Sequence, residues 1–129
     1  MAQTDKKMLE VRWHGRGGQG AVTASKVLAE SAMSLGKYIQ AFPEYGSERQ
    51  GAPVKAFTRI ADQRIRQHNQ VTSPDVVIVL DASLLDAVDV TEGLSENGTL
   101  IINTEASPGE MRQKLNLEGR KVYTVDATG

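Results

Sequence analysis

The stretch Trp13-His14-Gly15-Arg16-Gly17-Gly18-Gln19-Gly20 constrains this chain more than any other. The segment before it, Met8 to Trp13, sets Leu9, Val11 and Trp13 against Glu10 and Arg12, an alternation that reads as a β-strand. After it, Gln19 to Leu35 carries apolar residues at Ala21, Ala24, Leu28, Ala32 and Leu35, widened by Val22, Val27 and Met33. That is helical spacing, and Gly36 stands where a helix-terminating glycine belongs. Between the two elements, Gly15, Gly17 and Gly20 fall on the G-x-G-x-x-G spacing and Gly18 adds a fourth glycine. Glycines accept positive φ and let a ligand approach bare backbone. The first N–H groups of the helix have no intrahelical partner, and its dipole favours an anion at that end. Two readings are open, a cradle for a phosphate-type group and a tight strand-to-helix turn without a ligand. Placement after a strand and before a helix favours the cradle.

The remaining pattern fits the same architecture. Lys37 to Phe42 reads as a second strand, followed by a polar loop from Pro43 to Pro53 punctuated by glycine and proline. Val54 to Ile60 places Val54, Ala56, Thr58 and Ile60 on one face of a strand. Ala61-Asp62-Gln63 then turns the chain into a short return strand, Arg64 to Arg66. Too few residues follow for a crossover helix, so an antiparallel hairpin is expected. Val76 to Leu80 is a continuous apolar run of the buried parallel type, introduced by Pro74 and Asp75. Asp81 is positioned to cap a short helix starting near Ser83. Thr99 to Ile102 and Lys121 to Val125 read as further strands, with Pro108 to Leu115 helical between them. The expected fold is α/β and Rossmann-like, a mostly parallel sheet with an inserted β-hairpin. Residues 8–129 form one domain behind a loose arm, residues 1–7. A doubly wound sheet normally closes with a helix after its last strand. The expectation is therefore that the domain is truncated at its C-terminus, part of a longer polypeptide, or that a partner covers the exposed face.

Composition narrows the function classes. A net charge of −1 provides no basic field for nucleic acid or an anionic membrane. No apolar run is long enough to span a bilayer, and Met1 to Lys7 lack the apolar core of a secretion signal, which makes the cytoplasm the default location. The chain has no cysteine, so disulfides, thiolate catalysis and cysteine-ligated iron–sulfur or zinc sites are excluded within it.

Open α/β sheets bind ligands beyond the carboxyl ends of their strands, where the strand order reverses. The loops Gly15–Gly20 and Glu44–Gly51, Asp81, and Asn103-Thr104 are expected there. Glu44 lies 24 residues past Gly20, near the spacing of a ribose-binding acid, but Pro43 and the long polar loop favour surface or interface pairing. Glu48 and Arg49 either brace the loop as an ion pair, or Arg49 presents its guanidinium fork to a phosphate, a carboxylate or a partner subunit. Tyr45 either stacks on a planar ligand or, as an aromatic at a loop edge more often does, packs under the loop or at an interface. His14 is assigned a structural role or a wall of the ligand cleft, and His68 sits in a polar turn. Two such distant histidines without a carboxylate at ligand spacing do not make a metal site. No nucleophile and base can be paired, so no catalytic residue is assigned.

Two segments together carry a resemblance. Val11 to Ala24, which contains the glycine stretch, resembles the opening of the gamma subunit of 2-oxoacid:acceptor oxidoreductases. Phe42-Pro43-Glu44-Tyr45-Gly46-Ser47-Glu48-Arg49-Gln50-Gly51-Ala52-Pro53-Val54 resembles the second signature of that family, and Pro74 to Asp81 its third strand region. The resemblance implies a component of a complex that oxidatively decarboxylates a 2-oxoacid, forms acyl-CoA and reduces ferredoxin or flavodoxin. It further implies thiamine diphosphate and 4Fe-4S clusters in partner subunits and none in this chain. Carried over, Gly15, Arg16, Gly17, Gly18, Gln19 and Gly20 face coenzyme A. Glu44, Tyr45, Gly46, Glu48, Arg49 and Gly51 line a subunit contact or the same cleft. The second signature looks closest to the pyruvate branch, with aromatic and branched 2-oxoacids still open. The rival readings are an NAD-binding Rossmann dehydrogenase and a purely architectural subunit.

Overall fold

The computed structural model describes residues 8–18, 20–44, 51–117 and 120–126. Its six strands are β1 (Met8–Arg16), β2 (Tyr38–Pro43), β3 (Pro53–Ala61), β4 (Val76–Val79), β5 (Thr99–Asn103) and β6 (Lys121–Val125). The helices are α1 (Ala21–Met33) and α2 (Pro108–Lys114), and a 3-10 turn spans Ala82–Asp86. The strands form one sheet in the order β2-β3-β1-β4-β5-β6. On one side of β1 all pairings are parallel, β1 with β4, β4 with β5 and β5 with β6. On the other side β3 runs antiparallel to both β1 and β2. The α/β class and the inserted hairpin are therefore present, in a mixed sheet.

The hairpin is built from different strands than the sequence pattern suggested. β3 pairs with β2 from Tyr38↔Ala61 to Pro43↔Ala56 and with β1 from Met8↔Ala61 to Arg16↔Pro53. Both of its hydrogen-bonding edges are thereby filled, and Arg64 to Arg66 belongs to no strand. The residues after β3 instead run over the sheet, where Gln40 Nε2 donates to the Gln67 carbonyl at 2.7 Å and Val71 is buried.

Helix α1 packs on one face of the sheet through a line of small residues, Ala21, Ser25, Ala29 and Ala32. Small side chains let the helix lie close to the strands, which leaves the outer flank of the expected apolar stripe in water: Val27, Met33 and Leu35 are exposed. A polar chain ties the helix down where it meets β1 and β3. Trp13 Nε1 donates to Thr58 Oγ1 at 3.1 Å, and that hydroxyl donates to the Ser25 carbonyl at 3.1 Å. Gly36, at φ +84°, ends the helix as the sequence indicated, with its N–H on the Met33 carbonyl and that of Lys37 on the Ala32 carbonyl.

The opposite face carries the larger apolar core. Val77 and Val79 of β4, Leu100 and Ile102 of β5 and Val122 of β6 pack there against Leu84, Val90, Leu94, Met111 and Leu117. Both crossovers between these parallel strands lie on this face. Asp81 caps the 3-10 turn, its carboxylate accepting from the Ser83 N–H at 2.9 Å. Ser107 and Glu110 form a capping box at the start of α2, with Pro108 in its first turn. Because side chains alternate along a strand, burying Val122 sends Tyr123 and Val125 to the α1 side, where both are exposed.

Candidate functional site

The chain leaves β1 toward β2 and β3 and later returns on the other side of β1 as β4, so the order reverses between β1 and β4. The carboxyl ends of those two strands define the crevice. The glycine segment borders it, although its local shape differs from a free turn. Gly15 and Arg16 remain in β1, opposite Val54 and Pro53. Gly17 donates to the Ala52 carbonyl at 2.8 Å and accepts from the Gly51 N–H at 3.0 Å. The antiparallel register with β3 thus runs through half of the glycine spacing and fastens the hairpin base to it. Only then does the backbone turn, through Gly18 at φ +91° and Gly20 at φ +84°.

Gly20 is the N-cap of α1 and supplies no side-chain acceptor, and the first turn of the helix contains no acidic residue. A Cβ placed on Gly20 would meet nothing within 4 Å. Glycine is required here by backbone conformation, and the space outside it is open. This helix end therefore presents positive dipole and exposed backbone to the crevice.

Arg16 spans the crevice. Its Nε and Nη2 donate to Ser83 Oγ at 3.1 and 3.0 Å, and Nη1 donates to the Gly51 carbonyl at 3.0 Å. Asp81 Oδ2 lies 3.5 Å from Nε. Asp81 Oδ1 also accepts from Ser83 Oγ at 2.7 Å, which turns the hydroxyl lone pairs toward the guanidinium. Asn103 joins from β5, its amide donating to the Leu80 carbonyl at 3.1 Å, while the Leu80 N–H donates to the His14 carbonyl. Of the positions singled out in the sequence, Gly15 to Gly18, Gly20, Gly51, Asp81 and Asn103 are thus brought to one edge. Ser83, the hub between Arg16 and Asp81, carried no sequence signal beyond its place after a capping aspartate.

Glu44 is placed elsewhere. It follows edge strand β2, and its carboxylate lies 3.6 Å from Lys55 Nζ. With β3 between β2 and β1, it stands two strand spacings, roughly 10 Å, away from β1. A ribose-reading acid belongs on a strand directly beside β1. The pairing with Lys55 agrees with the surface-pairing alternative. Gln19, Tyr45, Gly46, Glu48 and Arg49, together with the arm 1–7, lie outside the described residues.

Below the crevice, on the face opposite α1, the polar side of the β1 alternation is buried. Arg12, His14 and Arg59 are at most 5% exposed. Arg12 Nε donates to His14 Nε2 at 2.9 Å, and its Nη2 donates to the carbonyls of Val90 and Glu92 at 2.9 and 2.6 Å. Burial, with Arg12 and Lys55 nearby, lowers the His14 pKa to about 3, so the ring is neutral. His14 is accordingly a structural acceptor. Arg59 donates to Glu10 at 2.9 Å and to Gln40 at 2.8 Å, and its guanidinium lies over the Phe42 ring. The alternation of Glu10 and Arg12 with apolar neighbours identifies a strand but not a buried polar face; the chain after β3 and the segment around Val90 and Glu92 make that face an interior one. Among the described residues no group of three histidine, aspartate or glutamate side chains is arranged to hold a metal ion. A cavity of about 460 Å³ at the opposite edge, lined by Met8, Lys37, Asp62 and Asp75 among others, lies at the start of β1 and away from the crevice.

Residues 10–129 match the family model for pyruvate ferredoxin/flavodoxin oxidoreductase. The chain belongs to the pyruvate ferredoxin/flavodoxin oxidoreductase family. Within that family it is 60% identical over 121 residues to the pyruvate/ketoisovalerate oxidoreductases common subunit gamma of Pyrococcus furiosus, covering 94% of this chain and 65% of the relative. It is similar to the crystal structure of pyruvate oxidoreductase subunit PORC from Thermotoga maritima, at 51% identity and a TM-score of 0.81, covering 95% of this chain and 64% of that one. A 2-oxoglutarate:ferredoxin oxidoreductase from Magnetococcus marinus, solved with 2-oxoglutarate, coenzyme A and succinyl-CoA bound, shares the fold at 17% identity and a TM-score of 0.66, over 94% of this chain and 20% of that one. The chain spans about 65% of the length of the Pyrococcus relative. The paired signatures around Gly17 and Gly51 therefore pointed to the correct family, and no described helix is long and apolar enough to cross a membrane.

Proposed function

We propose that this chain acts as the gamma component of a multisubunit 2-oxoacid oxidoreductase, with pyruvate the leading substrate, working in the cytoplasm. The complex would convert a 2-oxoacid and coenzyme A to acyl-CoA and carbon dioxide, passing two electrons to ferredoxin or flavodoxin. Thiamine diphosphate and 4Fe-4S clusters would reside in partner subunits, in keeping with a chain that has no cysteine. Family membership over residues 10–129 is the observation that carries this reading.

Within the complex, the glycine edge shapes the coenzyme A side of the active site. Coenzyme A supplies the thiol that takes up the acyl group. The residues present fit its anionic end: an α1 N-terminus without a side-chain cap, bare backbone at Gly18 and Gly20 with open space outside Gly20, and a guanidinium at Arg16. Backbone N–H groups at the start of α1 would hold phosphate oxygens, and Arg16 would supply charge. The hairpin base, fastened to Gly17, would fix the loop after Glu44 beside the same cleft or against a neighbouring subunit.

The test is Gly18→Asp in the assembled complex, which places a carboxylate where phosphate is expected. Assembly should persist while the KM for coenzyme A rises about tenfold or more, the scale of one charge-assisted contact. An assembled complex with unchanged coenzyme A dependence would overturn the role of the loop, and failure to assemble would favour the architectural reading.

A further inference from the structure

The two buried arginines on the face opposite α1 are treated differently. Arg59 is 1% exposed and has a carboxylate, Glu10, against it at 2.9 Å. Arg12 is 5% exposed and, among the described residues, forms no ion pair. All its hydrogen bonds go to neutral groups, the ring of His14 and the carbonyls of Val90 and Glu92, and Nη1 has no partner among the described residues. The carboxylates of Glu92 and Asp89 act on this guanidinium without an ion-pair contact, and burial outweighs them, so its charge is only partly compensated.

Arg12 borders a cavity of about 180 Å³ between β1, β3 and the connection that follows β3. Lys55 also lines it, and among the described residues its ammonium group makes one ion-pair contact, with Glu44 at 3.6 Å. Gln70 and Thr72 line it from the solvent side, their side chains without a hydrogen bond to other described residues, and Phe57 and Val71 form apolar walls. Glu92 is the one carboxylate in the lining, and no ion pair joins it to Arg12 or Lys55. Two cations against one carboxylate, with two neutral donors, surround a space several times that of a water molecule and leave an excess of positive charge and donors facing it.

We propose that this cavity binds a small oxyanion, a carboxylate or a phosphate group, between the Arg12 guanidinium and Lys55. The site is separate from the glycine edge, because Arg12 projects from the face of β1 opposite the one α1 covers. The free Nη1 would donate to one oxygen and Lys55 to another, with Thr72 and Gln70 completing the shell. An apolar wall on one side limits hydration and strengthens each of these contacts.

The proposal is tested by titrating the full chain at constant ionic strength with sodium phosphate and, separately, sodium acetate, following backbone and side-chain amide shifts. Saturable shifts centred on Lys55, Gln70 and Thr72 are expected with at least one anion, and whichever saturates identifies the class. Lys55→Met should weaken binding about tenfold, and Arg16→Met should leave it unchanged. Should Lys55→Met not fold, Thr72→Val serves in its place, with about threefold weaker binding expected. Absence of saturation by either anion would overturn the site. So would shifts centred on Gly18 to Ala21 that vanish in Arg16→Met, since those would belong to the glycine edge.

Discussion

Arg12 and His14, two residues apart on one face of β1, are joined by a 2.9 Å hydrogen bond from Nε to Nε2 that requires the imidazole to be neutral. The pair predicts an acid limb in stability. Unfolded, His14 takes up a proton near its ordinary pKa of 6.5, whereas folded it does so only near pH 3. Above 6.5 neither state is protonated and the folded form keeps its full advantage. Between 6.5 and 3 the unfolded chain binds a proton that the folded chain refuses, so stability falls as pH drops, by at most about 1.4 kcal/mol per pH unit. Below about 3 the contribution is gone. Histidine ring NMR signals should show no titration of His14 from pH 8 to 4. Urea midpoints of His14→Gln, whose amide oxygen can also accept from Arg12, should fall less steeply over that window.

The polar chain through α1 gives a second expectation. Thr58 Oγ1 is at once the acceptor for Trp13 and the donor to the Ser25 carbonyl. Thr58→Val keeps the shape, strands Trp13 Nε1 in a buried site and removes the second bond to the Ser25 carbonyl, which should cost about 1–3 kcal/mol. Thr58→Ser retains the hydroxyl and should cost about 1 kcal/mol for the lost methyl group. Chemical denaturation of the two variants side by side separates the bond from the packing. Equal losses would refute the hydrogen-bond account.

How much of this could be read from the sequence depended on whether local pattern decided the outcome. The apolar run at Val76 and the glycine after α1 act through neighbours in sequence, and both elements formed where expected. Strand pairing is not local. The short Arg64–Arg66 segment and β2 both offered β3 a partner, and only the edges already filled by β1 and β2 decide between them. The same holds for the candidate site. The glycines marked the edge, but Arg16 meets Ser83 only because β4 returns beside β1, across 67 positions of sequence. Nothing local marks Arg12 as buried, because the residues that cover it, among them Val90 and Glu92, lie up to 80 positions further along the chain.

Two glycines with similar backbone angles should respond differently to alanine. Gly20 at φ +84° has open space around a built Cβ, so Gly20→Ala should cost only the left-handed strain, about 1–2 kcal/mol. Gly93 at φ +76° would press a Cβ into the carbonyl of Thr72, a backbone group without an easy escape. Gly93→Ala should therefore add overpacking to strain and lose about 3–5 kcal/mol. Thermal unfolding of both variants tests this ordering, and a reversal would refute the contact at Thr72.

Arg16 and Asp81 supply the last prediction. Their side chains are about a quarter exposed, so the ion pair itself should contribute less than about 1 kcal/mol to stability. The functional expectation is larger, because Asp81 and Ser83 hold the guanidinium at the crevice. In the assembled complex, Arg16→Met should raise the KM for coenzyme A about tenfold with little change in kcat, the mark of a binding contact equally strong in ground and transition states. Asp81→Asn keeps an oxygen for the Ser83 N–H and removes the charge that orients Arg16. It should raise the KM about threefold, the size of a partly exposed pair. If Asp81 acts through Arg16, the double variant should be no worse than Arg16→Met alone, since two residues in one network do not add. Additive losses would mean that Asp81 contributes by a route of its own, and that the guanidinium is not what it positions.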